Sequence, residues 1–327
     1  MNRTGANAKL RRPLLRLAFV AGLIFHGCAA PPVRTTDRDL ARYAAAGRRA
    51  FDQGRYAAAA EAYRAALTRG HLLNDAVGIG DAAYNLAAAL MELNRFGPAR
   101  DYLRLARAEF AKTGDLAAQA DALLLEAKAT RALCGAAEAQ PLVAQALALP
   151  VAAGQDARNA LAYALKADMA CDAGDTGGAR AALSVARKWA ERGAGDPVLL
   201  AELARTDARL LATAGDQAQA AQQFTQAAAL FGRAGRHRQM AEALGLAARA
   251  YEAADQWAPA GERYLAAARS RFAQGDLTPA LKDVNAALAC AQRSGREDVK
   301  QRTQVLLNEI SDAVEKAKPT AAQPAAP

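Results

Sequence analysis

Residues 47–66 read Gly47-Arg48-Arg49-Ala50-Phe51-Asp52-Gln53-Gly54-Arg55-Tyr56-Ala57-Ala58-Ala59-Ala60-Glu61-Ala62-Tyr63-Arg64-Ala65-Ala66, a turn between two alanine-rich runs. The turn returns as Asn94-Arg95-Phe96, Gly174-Asp175-Thr176, Gly215-Asp216 and Asp255-Gln256-Trp257, about every 40 residues. Self-similarity at a fixed period marks a chain of stacked units, each too small to bury its apolar face alone. Small residues keep a fixed register around each turn. Before it stand Gly47, Ala87, Ala127, Ala167, Ala208 and Ala248. After it come Ala59 and Ala66, Ala99 and Ala106, Ala139 and Ala146, Ala179 and Ala186, Ala220 and Ala227, Ala260 and Ala267. Four residues beyond the first alanine of each pair lies a larger side chain: Tyr63, Leu103, Val143, Leu183, Phe224, Tyr264.

Close packing explains this register. Two antiparallel helices approach to about 8–10 Å only where small side chains meet, and a large residue fills the groove beside them. Alanine makes up roughly a quarter of the chain, so single matches carry nothing; six in register at three small positions do. The pattern Gly47…Gly54-Arg55-Tyr56…Ala59…Tyr63…Ala66 resembles the tetratricopeptide repeat, and the period of about 40 resembles its longer kinesin-light-chain variant. The resemblance implies an all-α, right-handed superhelical solenoid of helix hairpins, used for binding and not for catalysis. Repeat three departs from it: Cys134-Gly135 replaces the turn, and Pro141 falls where the second helix belongs.

The N-terminus reads as an address. Residues 1–16 are basic and free of acids, and 17–25 are a short apolar core, the pattern of a signal peptide. The twelve residues from Leu14 to Phe25 are too few for a membrane span, which needs about 20. Cleavage after Ala30 would place Pro31 next to the cut. Phe25-His26-Gly27-Cys28 instead resembles a bacterial lipobox, although Phe25 and His26 are atypical of it. That resemblance implies a diacylglycerol thioether on Cys28 and, with Ala29 following, anchoring to the outer membrane, facing the periplasm. The chain thus divides into a lipoprotein signal peptide over 1–27 and a flexible tether over 28–39. About six repeats over 40–273, a C-terminal capping hairpin over 274–317 and a disordered tail over 318–327 follow. Val299, Leu306, Ile310 and Val314 stripe the last helix as a solenoid cap requires.

The formal charge of +9 is concentrated at this end. Arg3, Lys9, Arg11, Arg12 and Arg16 lie within residues 1–27, which leaves +4 for the other 300 residues. No basic run interleaved with aromatics follows, so nucleic-acid binding has no support. HExxH, CxxC, GxSxG and the phosphate-binding GxxxxGK[ST] are all missing, and His71 and His237 are far apart. No cofactor, metal or enzymatic activity is expected. In an oxidising compartment Cys134 and Cys171, on one edge of adjacent repeats, are a candidate disulfide, although neighbouring helices sit about 10 Å apart and a disulfide needs Cα atoms within about 7 Å. Cys290 reads as a buried small residue.

In tetratricopeptide proteins the first helices line the concave face. Carried over, one inward position reads Arg48, Ala88, Lys128, Asp168, Arg209, Arg249, with Arg131 and Arg205 nearby. Tyr84-Asn85 matches the place where that family holds a ligand backbone through Asn. This basic face is expected to bind a protein segment carrying acidic groups, in an envelope process such as outer-membrane protein, pilus or secretion machinery. The competing expectations are a solvated face paired with Asp81, Asp121, Glu202, Glu242 and Glu252, or a glycan or small ligand held by Tyr84, Arg48 and Arg209, or regulation of a cell-wall enzyme.

Overall fold

The computed structural model describes residues 37–150, 156–192 and 196–317. The signal peptide, Cys28, most of the tether and the tail over 318–327 lie outside the described residues. Those described form fourteen helices and no strand. Six hairpins come first: α1 (Arg38–Asp52) with α2 (Tyr56–Leu73), α3 (Ala76–Glu92) with α4 (Phe96–Thr113), α5 (Leu116–Cys134) with α6 (Ala136–Ala148), α7 (Asp156–Asp172) with α8 (Thr176–Ala190), α9 (Pro197–Thr213) with α10 (Gln217–Arg233), and α11 (His237–Ala253) with α12 (Trp257–Ala273). Then follow α13 (Leu277–Ser294) and α14 (Glu297–Ala317). The chain is an all-α solenoid of helix hairpins.

Every small residue of the repeat register is buried, as are the six large residues beside them. Gly47 shows why the first position must be small. A Cβ there would lie 2.6 Å from the Tyr63 ring. Five of the turns inside hairpins hold one residue in the left-handed region: Gly54, Asn94, Gly174, Gly215 and Asp255. Asn and Asp are the non-glycine residues that tolerate it best. Repeat three keeps its hairpin by another route, with Gly135 alone joining α5 to α6 at φ +102° and ψ −179°, a region almost closed to other residues. Pro141 does sit inside α6, which is only 13 residues long.

Helix starts follow from capping. Asp37 Oδ1 accepts the Leu40 N–H at 2.9 Å, so α1 begins at Arg38, two residues before position 40. Asp115, Asp175, Asp196 and Asp216 cap α5, α8, α9 and α10 in the same way.

The end of the array carries a seventh copy of the register that the turn-based reading missed. Leu277-Thr278-Pro279-Ala280 parallels Trp257-Ala258-Pro259-Ala260 and Phe96-Gly97-Pro98-Ala99. Each proline is the third residue of its helix, where the missing N–H has no intrahelical acceptor to lose. Ala268, seven residues before Gly275, is buried, and so are Ala280, Val284 and Ala287. Thus α12 closes the hairpin with α11 and opens another with α13. Val299, Leu306 and Ile310 of α14 are buried in that last apolar cluster, and Val314 packs partly against it.

Stacking is not uniform. From α1 to α5 one continuous apolar cluster crosses every hairpin. Repeat four is joined differently, through 149–155 and 191–196. There α7 packs along α9, first helix against first helix.

The superhelix also comes full circle. The turns inside hairpins share one edge of the solenoid and the loops between hairpins share the other. Yet Arg238, at the start of α11, donates to the carbonyl oxygen of Glu92, at the end of α3. Gln239 Nε2 donates to Glu92 Oε1 at 2.8 Å, and the Arg236 guanidinium lies 6.0 Å from the Phe51 ring centre. One edge of the sixth repeat therefore rests on the opposite edge of the first two.

Candidate binding surface on the inner face

The basic stripe read from the sequence does come together, but it meets acids. Asp168 of α7 is 1% exposed and lies at the centre. Arg205 Nη2 is 2.8 Å from its Oδ2, Arg209 Nη1 is 3.0 Å from its Oδ1 and Arg131 Nη1 is 3.6 Å from its Oδ2. One turn on, Asp172 accepts from Arg131 Nε at 2.5 Å and Nη2 at 3.0 Å, and from Arg209 Nη2 at 2.5 Å. Glu202 pairs with Arg205 at 2.8 Å and with Lys128 Nζ at 3.6 Å. That last contact links α5 to α9 across α7, which measures how tightly the inner face curves. Four cations and three acids thus form one knot over three repeats.

The knot's electrostatics follow from its packing. Burial pushes the Glu202 carboxyl up, but Arg205 and Lys128 outweigh it and hold the group down at about 2. Asp172 is likewise depressed, because Arg131 and Arg209 overcome the cost of burial. The Arg205 guanidinium is shifted up, with Asp168 and Glu202 prevailing over its desolvation. Bidentate guanidinium–carboxylate pairs are strong and directional, so these arginines are engaged within the chain.

The other candidates separate into two kinds. Tyr84 is partly buried, and its hydroxyl is raised to about 12 by burial, with the Asp121 charge adding and Arg158 opposing. Asp121 and Arg158 pair through 2.5 and 2.8 Å contacts. Asn85 Nδ2 donates to the Asp81 carbonyl of its own helix at 2.8 Å, so the expected backbone clamp is turned inward. Arg48 and Arg249 are exposed and take part in no ion pair among the described residues. Arg249 shares an open groove of about 360 Å³ with Arg209, Phe224 and Leu246, so the structure joins two of the predicted residues there.

The candidate disulfide is not formed. Cys134 is an exposed free thiol within 3.7 Å of Arg100 Nη1, one repeat back. Cys171 is a buried free thiol packed among α7, α8 and α9, and burial raises it. The two face opposite neighbours. Cys290 is buried and raised to about 11 chiefly by burial. His71 and His237 lie in the last turn of α2 and at the start of α11. No group of three or more His, Cys, Asp or Glu is placed to hold a metal among the described residues, nor is any of their helices long and apolar enough to cross a membrane.

The expectation of a paired face holds at Asp121 and Glu202; Asp168 and Asp172 were not named as partners, though a signal for them existed. Asp121 and Arg158, Asp168 and Arg205, and Asp172 and Arg209 are each 37 residues apart, and Arg131 and Asp172 are 41 apart. Opposite charges one repeat apart on one stripe are poised to pair across stacked hairpins.

No protein-family model and no curated protein matches the sequence. Solved structures do. The chain is similar to BtubC (BKLC) from P. vanneervenii at 15% identity and a TM-score of 0.51, over 72% of this chain and 95% of that one. A Rap protein complexed with competence and sporulation factor aligns at 12% identity, over 85% and 76%, with a TM-score of 0.47. A tetratricopeptide repeat protein from Parabacteroides merdae aligns at 13%, over 82% and 100%, with a TM-score of 0.43. At 15% identity the likeness to the first of these is one of fold alone.

Proposed function

We propose that this protein is a non-enzymatic interaction scaffold, held at the outer membrane through a lipid on Cys28, that takes a segment of a partner protein on its inner face in an envelope assembly process. The observation that carries the binding mode is the groove where exposed Arg249 stands beside Arg209, Phe224 and Leu246. It offers a cation and an apolar wall together, the combination that suits an acidic segment with an apolar anchor. Lys128, Arg131 and Arg205 serve this reading as the rigid floor, since their charge is answered within the chain. The address rests on the N-terminal pattern of basic residues, short apolar core and Gly27-Cys28. Two acyl chains on such a cysteine give stable anchoring where one does not.

In-cell crosslinking with mass spectrometry tests the binding mode, comparing wild type with Arg48→Glu, Arg249→Glu. Both positions are exposed, so the fold should tolerate the change. Loss of a discrete partner in the variant is the expected result. A partner retained equally in both would defeat the groove assignment. A thermal shift with peptidoglycan fragments and no protein partner would favour a glycan ligand instead. Fractionation tests the anchor: Cys28→Ser should move the protein from the membrane to the soluble fraction, and wild type already soluble would defeat it.

A further inference from the structure

A further cavity lies away from the inner-face groove. It occupies about 980 Å³ at the seam where the sixth repeat rests on the first. Its lower wall is the first turn, with Phe51, Arg55 and Tyr56, and its upper wall is the loop and helix ends carrying Arg236, Met240 and Arg269. A volume near 1,000 Å³ is at the upper end of what small-molecule sites use.

Its charge, unlike the knot's, is not answered by paired acids. Arg55, Arg236 and Arg269 form no ion pair among the described residues. The Arg55 guanidinium donates to the neighbouring Gln53 side chain, and Arg236 stands over the Phe51 ring. Asp52 is the one carboxylate on the wall, and His237 adds a further titratable side chain. Three guanidiniums against one acid leave an excess of positive charge in a partly enclosed space. Apolar surface lies directly beside it. Phe51 and Tyr56 meet edge to face, ring centres 5.2 Å apart, with the Met240 side chain opposite. Guanidiniums bind planar or tetrahedral oxyanions through paired N–H groups, and aromatic faces accept a flat apolar group.

We infer that this seam cavity is a binding site for a small organic anion whose phosphate or carboxylate is held by Arg236 and Arg269 and whose aromatic part packs on Phe51 and Tyr56. Because the two walls come from repeats one and six, the ligand bridges the seam. Beyond the cavity the seam carries the contacts of Arg238 and Gln239 to Glu92. Occupancy therefore adds a link between the two ends of the superhelix. The site is independent of the inner-face groove and of its partner.

Titration calorimetry on the chain from residue 29 onward tests this, with phenyl phosphate, benzoate and inorganic phosphate as probes. Phenyl phosphate or benzoate should bind saturably, and whichever binds tighter identifies the anionic group. Inorganic phosphate should bind roughly tenfold weaker or less, since it gains nothing from the aromatic wall. Arg236→Gln and Arg269→Gln should each cost about tenfold, while Arg249→Gln in the inner groove should leave binding unchanged. Hydrogen exchange should slow at both 53–58 and 234–240 on saturation. No saturable binding of either aromatic anion to wild type would overturn the assignment. So would binding that survives the Arg236→Gln, Arg269→Gln double variant, or slowing confined to one wall.

Discussion

Between α3 and α4, Leu86, Ala87, Leu103 and Ala106 meet in one apolar cluster. Among α5, α7 and α9, the meeting is of Lys128, Arg131, Asp168, Asp172, Glu202, Arg205 and Arg209. The first seam joins the two helices of one hairpin, with small residues setting the distance and a large one filling the groove. The second spans three hairpins, where α7 leans on α9. Apolar contact is non-directional and needs only a fit of volume. A buried charge must find its counter-charge in a set geometry or be strongly unfavourable. The alanine seam can therefore be repeated anywhere along the array, whereas the ionic knot fixes the relative angle of three particular hairpins.

The largest effect expected is in the apolar seam. Leu103 is fully buried, so Leu103→Ala should cost about 3–4 kcal/mol in urea unfolding, as cavity-forming changes do, with little dependence on salt. A loss below about 1 kcal/mol would mean the seam collapses around the gap and is not closely packed. Asp168→Ala comes next. It leaves three arginines facing one another around a buried vacancy and should cost about 3 kcal/mol. Added salt should reduce that cost by screening the repulsion. If Asp168→Ala were neutral, the knot would be solvent-relaxed and the contrast between the seams would fail.

Acid should separate the two regions without mutation. Glu202 is held at about 2 against an ordinary 4.5, and Asp172 is also depressed. A carboxyl depressed in the folded state contributes stability above its unfolded value and loses it as pH falls through the folded one. The urea midpoint should thus fall between about pH 4.5 and 2, and more shallowly in Glu202→Gln. An equal slope in that variant would place the acid sensitivity elsewhere. The smallest effect concerns Asn85, whose amide donates to its own helix on the inner face. Asn85→Ala should change stability by less than about 0.5 kcal/mol. A marked loss of partner crosslinking at unchanged stability would restore it as a ligand contact.

Much of this fold was legible because a hairpin is a local object. Gly47, Ala59, Tyr63 and Ala66 lie within 20 residues, and their spacing records which faces must touch. The seventh copy at Ala268, Ala280, Val284 and Ala287 was equally legible in spacing, but it starts inside a helix already assigned to the sixth hairpin. The candidate site was less so. Lys128, Arg131, Arg205 and Arg209 were placed on the right stripe and Glu202 was named among possible partners, but Asp168 and Asp172 were not, because a one-dimensional stripe does not say which charges of the next hairpin arrive opposite it. The Cys134–Cys171 pairing failed for a related reason: sharing an edge of the solenoid does not make two side chains face each other.

What the sequence determined by itself is the repeating unit: helix, left-handed turn residue, helix, and the small positions where the two approach. Those follow from neighbours in the chain and from side-chain volume. Only the tertiary structure decided that Asp168 would sit beneath three arginines, that Arg249 would join Arg209 in one groove, and that Arg236 would come to rest over Phe51. Each depends on the angle between successive hairpins, a small quantity at every step that accumulates over six of them. Such a sum is set by the packing of the whole array and is written at no single position.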